Sequence, residues 1–346
     1  MALKVTSWNV EHAERLITNS PTASVLDRRR RIRETIEETD PDILCVIEGP
    51  KGEKGIDAFS TLVLNRQWLP VRMDAGAPLG ANDARYQQSG TQWIWFLVRS
   101  SLAPSCRVQD PVVWQSFAGG KTWRVNLWGE LEPKNGSHYR HPQLMIYELP
   151  DGSEIEFIGV HLKSKINMLP ITRTPSGSLG EEYVKEALRA RTALAVEARN
   201  VREYIGAKFR QVPNPGVVVM GDCNDGPGQD FFERQYLFFD LIANIQGDVL
   251  VAERFFNHAL FDYPTDLRWS AKYDDPVLQI PASQNPLLLD HILISQPLCR
   301  ELLPIVANEH AGLVEHQIFE RWNAGASSSR RTSDHRPVSC VFDDVA

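Results

Sequence analysis

The sequence is short of the features that mark several protein classes. It has no excess of positive charge: 37 Lys and Arg against 44 Asp and Glu give −7. Such a chain does not coat nucleic acid by bulk charge, although it can still meet a polyanion at one local site. Its five cysteines (Cys45, Cys106, Cys223, Cys299, Cys340) stand singly with no Cys-x-x-Cys pair. That pattern gives neither a zinc ribbon nor a disulfide framework, and it is read as reduced, buried thiols. No apolar run approaches the roughly 20 residues of a membrane span. The opening MALKVTSWNV has neither the apolar core nor the cleavage pattern of a secretory signal. The expectation is a cytoplasmic protein without a membrane partner. Asn135-Gly-Ser137 has the form of a glycosylation sequon and, with no secretory signal, is read as a turn. Internal repeats and low-complexity blocks are absent too.

What is present is globular composition, 42% hydrophobic and 23% charged over 346 residues. Short apolar runs alternate with amphipathic helices. Val5 to Trp8, Gln92 to Val98, Val125 to Leu131 and Val338 to Phe342 read as strands. Ile43 to Ile47, Val217 to Met220 and Leu289 to Ile294 read as strands too, the first two as strands buried on both faces. Leu144 to Leu149 and Ile155 to Val160 flank Asp151-Gly152, a hairpin signal. Helices are expected over Arg28 to Glu38, with Asp27 near its start and Pro41 after its end, and over Glu181 to Lys208. Stretches near 74–90, 166–180 and 246–286 lack period and read as functional loops rather than linkers. The expectation is one domain over 1–346.

The chemistry shows in what terminates the strands. Val5 to Trp8 ends in Asn9, with Glu11 two residues on; Ile43 to Ile47 ends in Glu48; Phe157 to Val160 ends in His161. Val217 to Gly221 ends in Asp222, followed by Asn224 and Asp225. Asp290-His291 interrupts an apolar segment, and Asp334-His335 precedes the final strand. Taken singly, an Asp or Asn after a strand is a turn former or cap. Together, six such segments on one sheet rim would make a hard-oxygen metal site beside an acid/base pair.

Ser7-Trp8-Asn9-Val10-Glu11, Pro41-Asp42-Ile43-Leu44 through Glu48, His161-Leu162-Lys163-Ser164, Gly221-Asp222-Cys223-Asn224-Asp225, Asp290-His291-Ile292-Leu293 and Ser333-Asp334-His335-Arg336-Pro337-Val338 occur in that order. This succession resembles the endonuclease/exonuclease/phosphatase superfamily, to which pancreatic deoxyribonuclease and the abasic-site endonucleases belong. The resemblance runs from residue 3 to residue 342. It implies an α/β fold, a four-layered α/β sandwich of two packed, mostly antiparallel sheets with helices outside. It also implies metal-assisted phosphoester hydrolysis with Mg²⁺, for which Mn²⁺ or Ca²⁺ can substitute. By the same resemblance Glu48 is the principal metal ligand, with Asn9 beside it, Asp334 a further ligand and Glu11 at a metal-shell position. His335 stands next to the scissile phosphate and Asp290 orients it. Asp222 and Asn224 handle the attacking water and a phosphate oxygen, and His161 is the second histidine, where abasic-site endonucleases use Tyr. Which residue removes the water's proton stays open. The chain departs from the DNA-repair members at Gly49-Pro50-Lys51-Gly52 and at His291, where Tyr is common.

Lys163 lies two residues after His161, so in an extended strand end it shares that direction and can reach a neighbouring phosphate; a solvated lysine is the equal alternative. Arg28 to Arg31 and Arg33 spread around a helix with Glu34, Glu37 and Glu38 in reach, which reads as a solvated, ion-paired face. Arg330-Arg331 sit at the active edge. Trp93 and Trp95 read as core, and Trp269 as the better base-stacking candidate. The expected function is a nuclease on DNA, or else RNA, with nucleic acid as partner. The alternative is a phosphatase or phosphodiesterase on a small molecule or lipid headgroup. A binding module without chemistry is disfavoured, because each matching position carries a competent residue. Oligomeric state is open, and a monomer fits.

Overall fold

The computed structural model describes residues 2–114, 122–126, 132–227, 230–237 and 240–345. Two sheets dominate, one of seven strands and one of six. In the first, Leu3–Asn9 pairs in parallel with Ile43–Gly49 and antiparallel with Val338–Asp344. In the second, Gly216–Asp222 pairs in parallel with Glu154–His161 and antiparallel with Asp290–Ser295. The flanking pairs of both sheets are antiparallel. Each parallel pair needs a crossover. The helices Ala23–Thr39 and Glu181–Gln211 supply them.

Alternation within the strands builds the layers. Ile43, Cys45 and Ile47 point into a core shared with Phe157, Val218, Met220 and Ile292 of the other sheet. Leu44 and Val46 point outward, against Ile32, Ile36, Ile56 and Phe59 of the covering helices. Val217 and Val219 face Leu194, Ala198 and Val201 of the long helix on the opposite side. The sheets approach closely at Gly159, where an added Cβ would stand 2.8 Å from Ile94 and 3.2 Å from the Cys45 sulfur. This is the expected sandwich, with both faces of each sheet covered.

Most expected elements form, with adjusted ends. The helix expected from Arg28 begins at Ala23, capped by Thr22, whose hydroxyl accepts from the Val25 N–H at 3.4 Å. Asp27 is therefore inside it, pairing with Arg30 and Arg31 at 2.9 Å each. The hairpin at Asp151-Gly152 forms through a longer loop. Gly152 takes φ +85°, and the Leu149 N–H donates to the Ser153 carbonyl at 2.8 Å. Of the strand expected over Val125 to Leu131, residues 127–131 lie outside the described residues; Thr122–Val125 is a strand. It pairs with Lys134–Ser137, so Asn135-Gly-Ser137 lies in a strand and is not the expected turn. The region 246–286 is less irregular than expected, since Phe256–His258 adds a strand to the edge of the second sheet. All five cysteines are free, and Cys45, Cys223 and Cys340 are buried.

The arginine run corrects a further expectation. Arg30 and Arg31 are ion-paired at the surface, but Arg28 and Arg29 are buried and bonded to loop carbonyls. Glu37 and Glu38 take partners elsewhere, Gln67 and Trp322 among them.

Candidate active site

Strand register assembles the site. Asp222 lies directly beside His161 on one neighbour and Asp290 on the other. Asn9 stands opposite Ile47, which puts Glu48 at the same rim of its sheet. Ser7 pairs with Val338, so the preceding Asp334-His335 reaches that rim too.

His335 forms the centre. Its Nδ1 is 2.6 Å from Asp290 Oδ2, and its Nε2 is 4.0 Å from Asp222 Oδ2. The Asn9 amide donates to Asp222 Oδ2 at 3.1 Å, and the Asn224 N–H donates to Asp222 Oδ1 at 2.8 Å. His161 Nε2 stands 3.6 Å from Asp222 Oδ2. Asp222, Asp290, His161 and His335 are all buried. The loop bearing His335 is tied back to the first strand: the Ser333 hydroxyl donates to the Asn9 carbonyl at 2.6 Å and accepts from the His335 N–H at 3.0 Å. The Trp8 indole N–H donates to the His335 carbonyl at 2.9 Å. Ser270 holds Asp290, its hydroxyl accepting from the Leu289 and Asp290 N–H groups at 3.1 Å.

Two residues take unusual backbone conformations to reach these places. Glu48 has φ +58° and lies at a register shift between Val46 and Gly49. A bulge there re-aims the carboxylate toward the rim, so the strand runs through Glu48 to Gly49 and does not stop at Ile47. Gly221 has φ +145°, and any Cβ would fall 1.9 Å from the Val160 carbonyl oxygen. Only glycine lets the Asp222 strand lie this close to the His161 strand.

The electrostatics divide the groups. Burial pushes the Asp222 carboxyl up to about 7, with Asp290 adding to the effect and His335 opposing it. Burial opposes charging of His335, but Asp290 and Asp222 outweigh it and raise the imidazole to about 10. His161 goes the other way, held well below its ordinary value by burial and then by the charges of Arg140 and His335. One imidazole is thus a cation at neutral pH and the other neutral, beside an acid that titrates near neutrality.

Asp222, Asp290 and His335 also form the one group of three potential metal-ligating side chains found among the described residues, with donor atoms all within 4.8 Å. A histidine held as a cation by two carboxylates offers protons, not a lone pair, so this trio is suited to proton handling. The residues expected to hold a metal are arranged around it. Glu48 Oε2 accepts from the His12 N–H at 2.9 Å. Asp334 Oδ2 accepts from the Tyr273 hydroxyl at 2.7 Å. Asn9 Oδ1 accepts from the Glu11 N–H at 3.0 Å. The Glu11 carbonyl, not its carboxylate, is bound by Arg28.

Three expectations need adjusting. Lys163 is not in an extended strand, because the strand ends at His161. Its N–H donates to Glu197 Oε2 at 2.7 Å, which ties this segment to the long helix. The Asn224 amide donates to the Leu162 carbonyl at 3.0 Å, so one of its two N–H bonds is already used. The Trp269 ring is covered, with Arg336 at 3.8 Å and Lys272 at 4.2 Å from its centroid, and is not an open stacking platform. Trp93 and Trp95 are core, as expected. Arg330 and Arg331 are exposed at the edge.

Sequence reasoning missed Arg140, Gln92 and Tyr273. Arg140 Nη2 donates to Gln92 Oε1 at 2.7 Å, and Nη1 donates to the Leu162 carbonyl at 3.4 Å. Burial lowers its guanidinium, while Asp222, then Glu48, sustain its charge. Among the described residues no carboxylate pairs directly with it. A signal existed: Arg140 and Gln92 precede strands antiparallel to those that carry His161 and Glu48 at their far ends, so they share that rim.

No protein-family model and no curated protein matches the sequence. Solved structures do resemble the fold. Truncated TDP2 from Caenorhabditis elegans is similar at 13% identity and TM-score 0.51, with 99% of this chain and 97% of that one covered. A humanized D. rerio TDP2 carrying 14 mutations is similar at 13% identity and TM-score 0.50, with 99% of each covered. An endonuclease/exonuclease/phosphatase family protein from Bacteroides thetaiotaomicron is similar at 15% identity and TM-score 0.49, with 99% and 97% covered. At such identities the likeness to the two TDP2 chains shows fold alone, the two-sheet α/β sandwich described above.

Proposed function

We propose that the protein is a Mg²⁺-dependent phosphodiester hydrolase, acting on nucleic acid and on DNA before RNA. The observation that carries this reading is the buried Asp290–His335 pair facing Asp222, with the Arg140 guanidinium, which no described carboxylate pairs with directly, alongside. A phosphodiester anion needs cationic hydrogen-bond donors around it and an acceptor for the water's proton. His335 and Arg140 are the donors. Asp222, whose pKa lies near neutrality, accepts the proton, held by Asn9 and Asn224. Asp290 orients the His335 imidazolium and sustains its charge, and neutral His161 completes the rim.

The fit to a hard cation rests on the donor chemistry. Glu48 and Asp334 are carboxylates and Asn9 adds an amide oxygen, Oδ1, so the oxygen donors of this set suit Mg²⁺. Asp290 Oδ1 is buried without a hydrogen-bond partner, an atom that an incoming polar group or water would satisfy. When bound, the cation neutralises charge on a phosphoryl oxygen.

A second reading has its own observation. The loop leaving His161 exposes Ile166, Met168 and Leu169, with Met168 at 88%. An apolar tip beside a phosphoesterase centre fits a lipid headgroup ester. No helix among the described residues is long and apolar enough to cross a membrane.

One panel separates these readings: supercoiled and linear DNA, single strands, RNA, an aryl phosphodiester, a phosphomonoester and inositol phospholipids. Each is assayed with Mg²⁺ and with EDTA. Cleavage of nucleic acid that EDTA abolishes is expected. Cleavage of monoesters or lipids alone would overturn the nuclease reading, and full activity in EDTA would overturn the metal requirement.

A further inference from the structure

The nitrogen of His335 that faces the rim is already occupied. Its Nδ1 is committed to Asp290 at 2.6 Å. Its Nε2 lies 3.0 Å from the Tyr273 hydroxyl, which also donates to Asp334 Oδ2 at 2.7 Å. An imidazole nitrogen has one in-plane bonding direction, whether it carries a proton or a lone pair. With its one proton given to Asp334, the Tyr273 hydroxyl fills it by accepting from the Nε2–H of the imidazolium. The phenol is placed there by the fold. Ala271 bridges His335 in antiparallel fashion, and the Tyr273 carbonyl accepts from the Asn285 amide at 2.8 Å. The ring meets the imidazole edge to face, with centroids 6.0 Å apart.

We infer that Tyr273 is a resident stand-in for a phosphoryl oxygen, and that substrate engages His335 by displacing its hydroxyl. This rests on the proposed phosphoester reading, in which His335 meets the phosphate. A side-chain rotation of the phenol frees Nε2, and the tetrahedral anion puts a charged acceptor where the imidazolium had a neutral one. Tyr273 therefore competes with substrate, and its hydroxyl sets affinity.

The test is binding of inorganic phosphate to the Mg²⁺-loaded protein by calorimetry, for wild type, Tyr273→Phe, His335→Ala and the double variant. Tyr273→Phe keeps the ring and removes the competitor. It should bind phosphate about 3- to 10-fold more tightly, the net worth of one displaced hydrogen bond, and KM for the cleaved ester should fall with it. His335→Ala should weaken phosphate binding, and on that background Tyr273→Phe should change nothing further. Unchanged or weaker phosphate binding by Tyr273→Phe, with His335→Ala still impaired, overturns the stand-in alone. Full phosphate binding by His335→Ala overturns both it and the reading beneath it. Tyr273→Leu serves as a second variant, with the same expected direction. A purely structural tyrosine would lower the denaturation midpoint and weaken binding, the opposite sign.

Discussion

Replacing His335 by Ala is expected to lower kcat/KM on the best substrate at least about 100-fold, the usual scale for losing a general acid/base group. Among the described residues the imidazole is the one cation set between Asp222 and Asp290. Without it, two buried carboxylates face each other, and the acceptor of the water's proton stays protonated to higher pH. The pH profile gives the sign. Asp222 accepts a proton only when ionised, so the rate should rise with pH through its raised value, near neutrality. His335 is a cation below its own raised value, so the rate should fall as pH climbs through the alkaline range. Such limbs belong to the coupled trio rather than to one residue. Asp290→Asn removes the first of the charges that sustain the imidazolium, so the descending limb should move toward neutral pH. Near-normal turnover by His335→Ala, or an alkaline limb that ignores Asp290→Asn, would sink this assignment.

The rim that carries the candidate site was legible because it follows from strand register. A polar residue just after an apolar run lands at a sheet edge, and parallel neighbours land at the same edge. Asn9, Glu48, His161 and Asp222 obey that rule. The same rule run backwards, for residues preceding antiparallel strands, finds Arg140 and Gln92 and was applied only to Asp334 and His335. Tyr273 had no such signal. It sits between strands of two residues each, in a stretch without period, and reaches the site through one bridge to His335. The bulge at Glu48 was hidden as well, since a positive φ on a glutamate leaves no mark in sequence.

The arginine run was misread for a physical reason that leads to the second large effect. Spacing tells which face of a helix a residue occupies, and the partners placed within reach were glutamates on the same helix. The partners of Arg28 come instead from loops distant in sequence. Its Nη2 donates to the Val10 carbonyl at 2.8 Å and to the Glu11 carbonyl, and Nε and Nη2 donate to the Thr332 carbonyl at 3.2 and 3.0 Å. The guanidinium thereby clamps the loop after Asn9 to the loop before Asp334 and His335. A planar fork can bridge such acceptors, and a point-charge ammonium cannot. Arg28→Met should leave these carbonyls unsatisfied, at about 1–3 kcal/mol each. Relief from burying a charge offsets part of that. The net loss should be about 2–4 kcal/mol, read as a lower denaturant midpoint at unchanged slope. Activity should fall more than stability requires, because the two halves of the proposed cation site lose their common anchor. Arg28→Lys should restore stability in part and kcat/KM little, since it returns charge without the fork. An Arg28→Met protein that unfolds at the wild-type denaturant concentration with unchanged kcat/KM would show that the loops hold their places without the clamp.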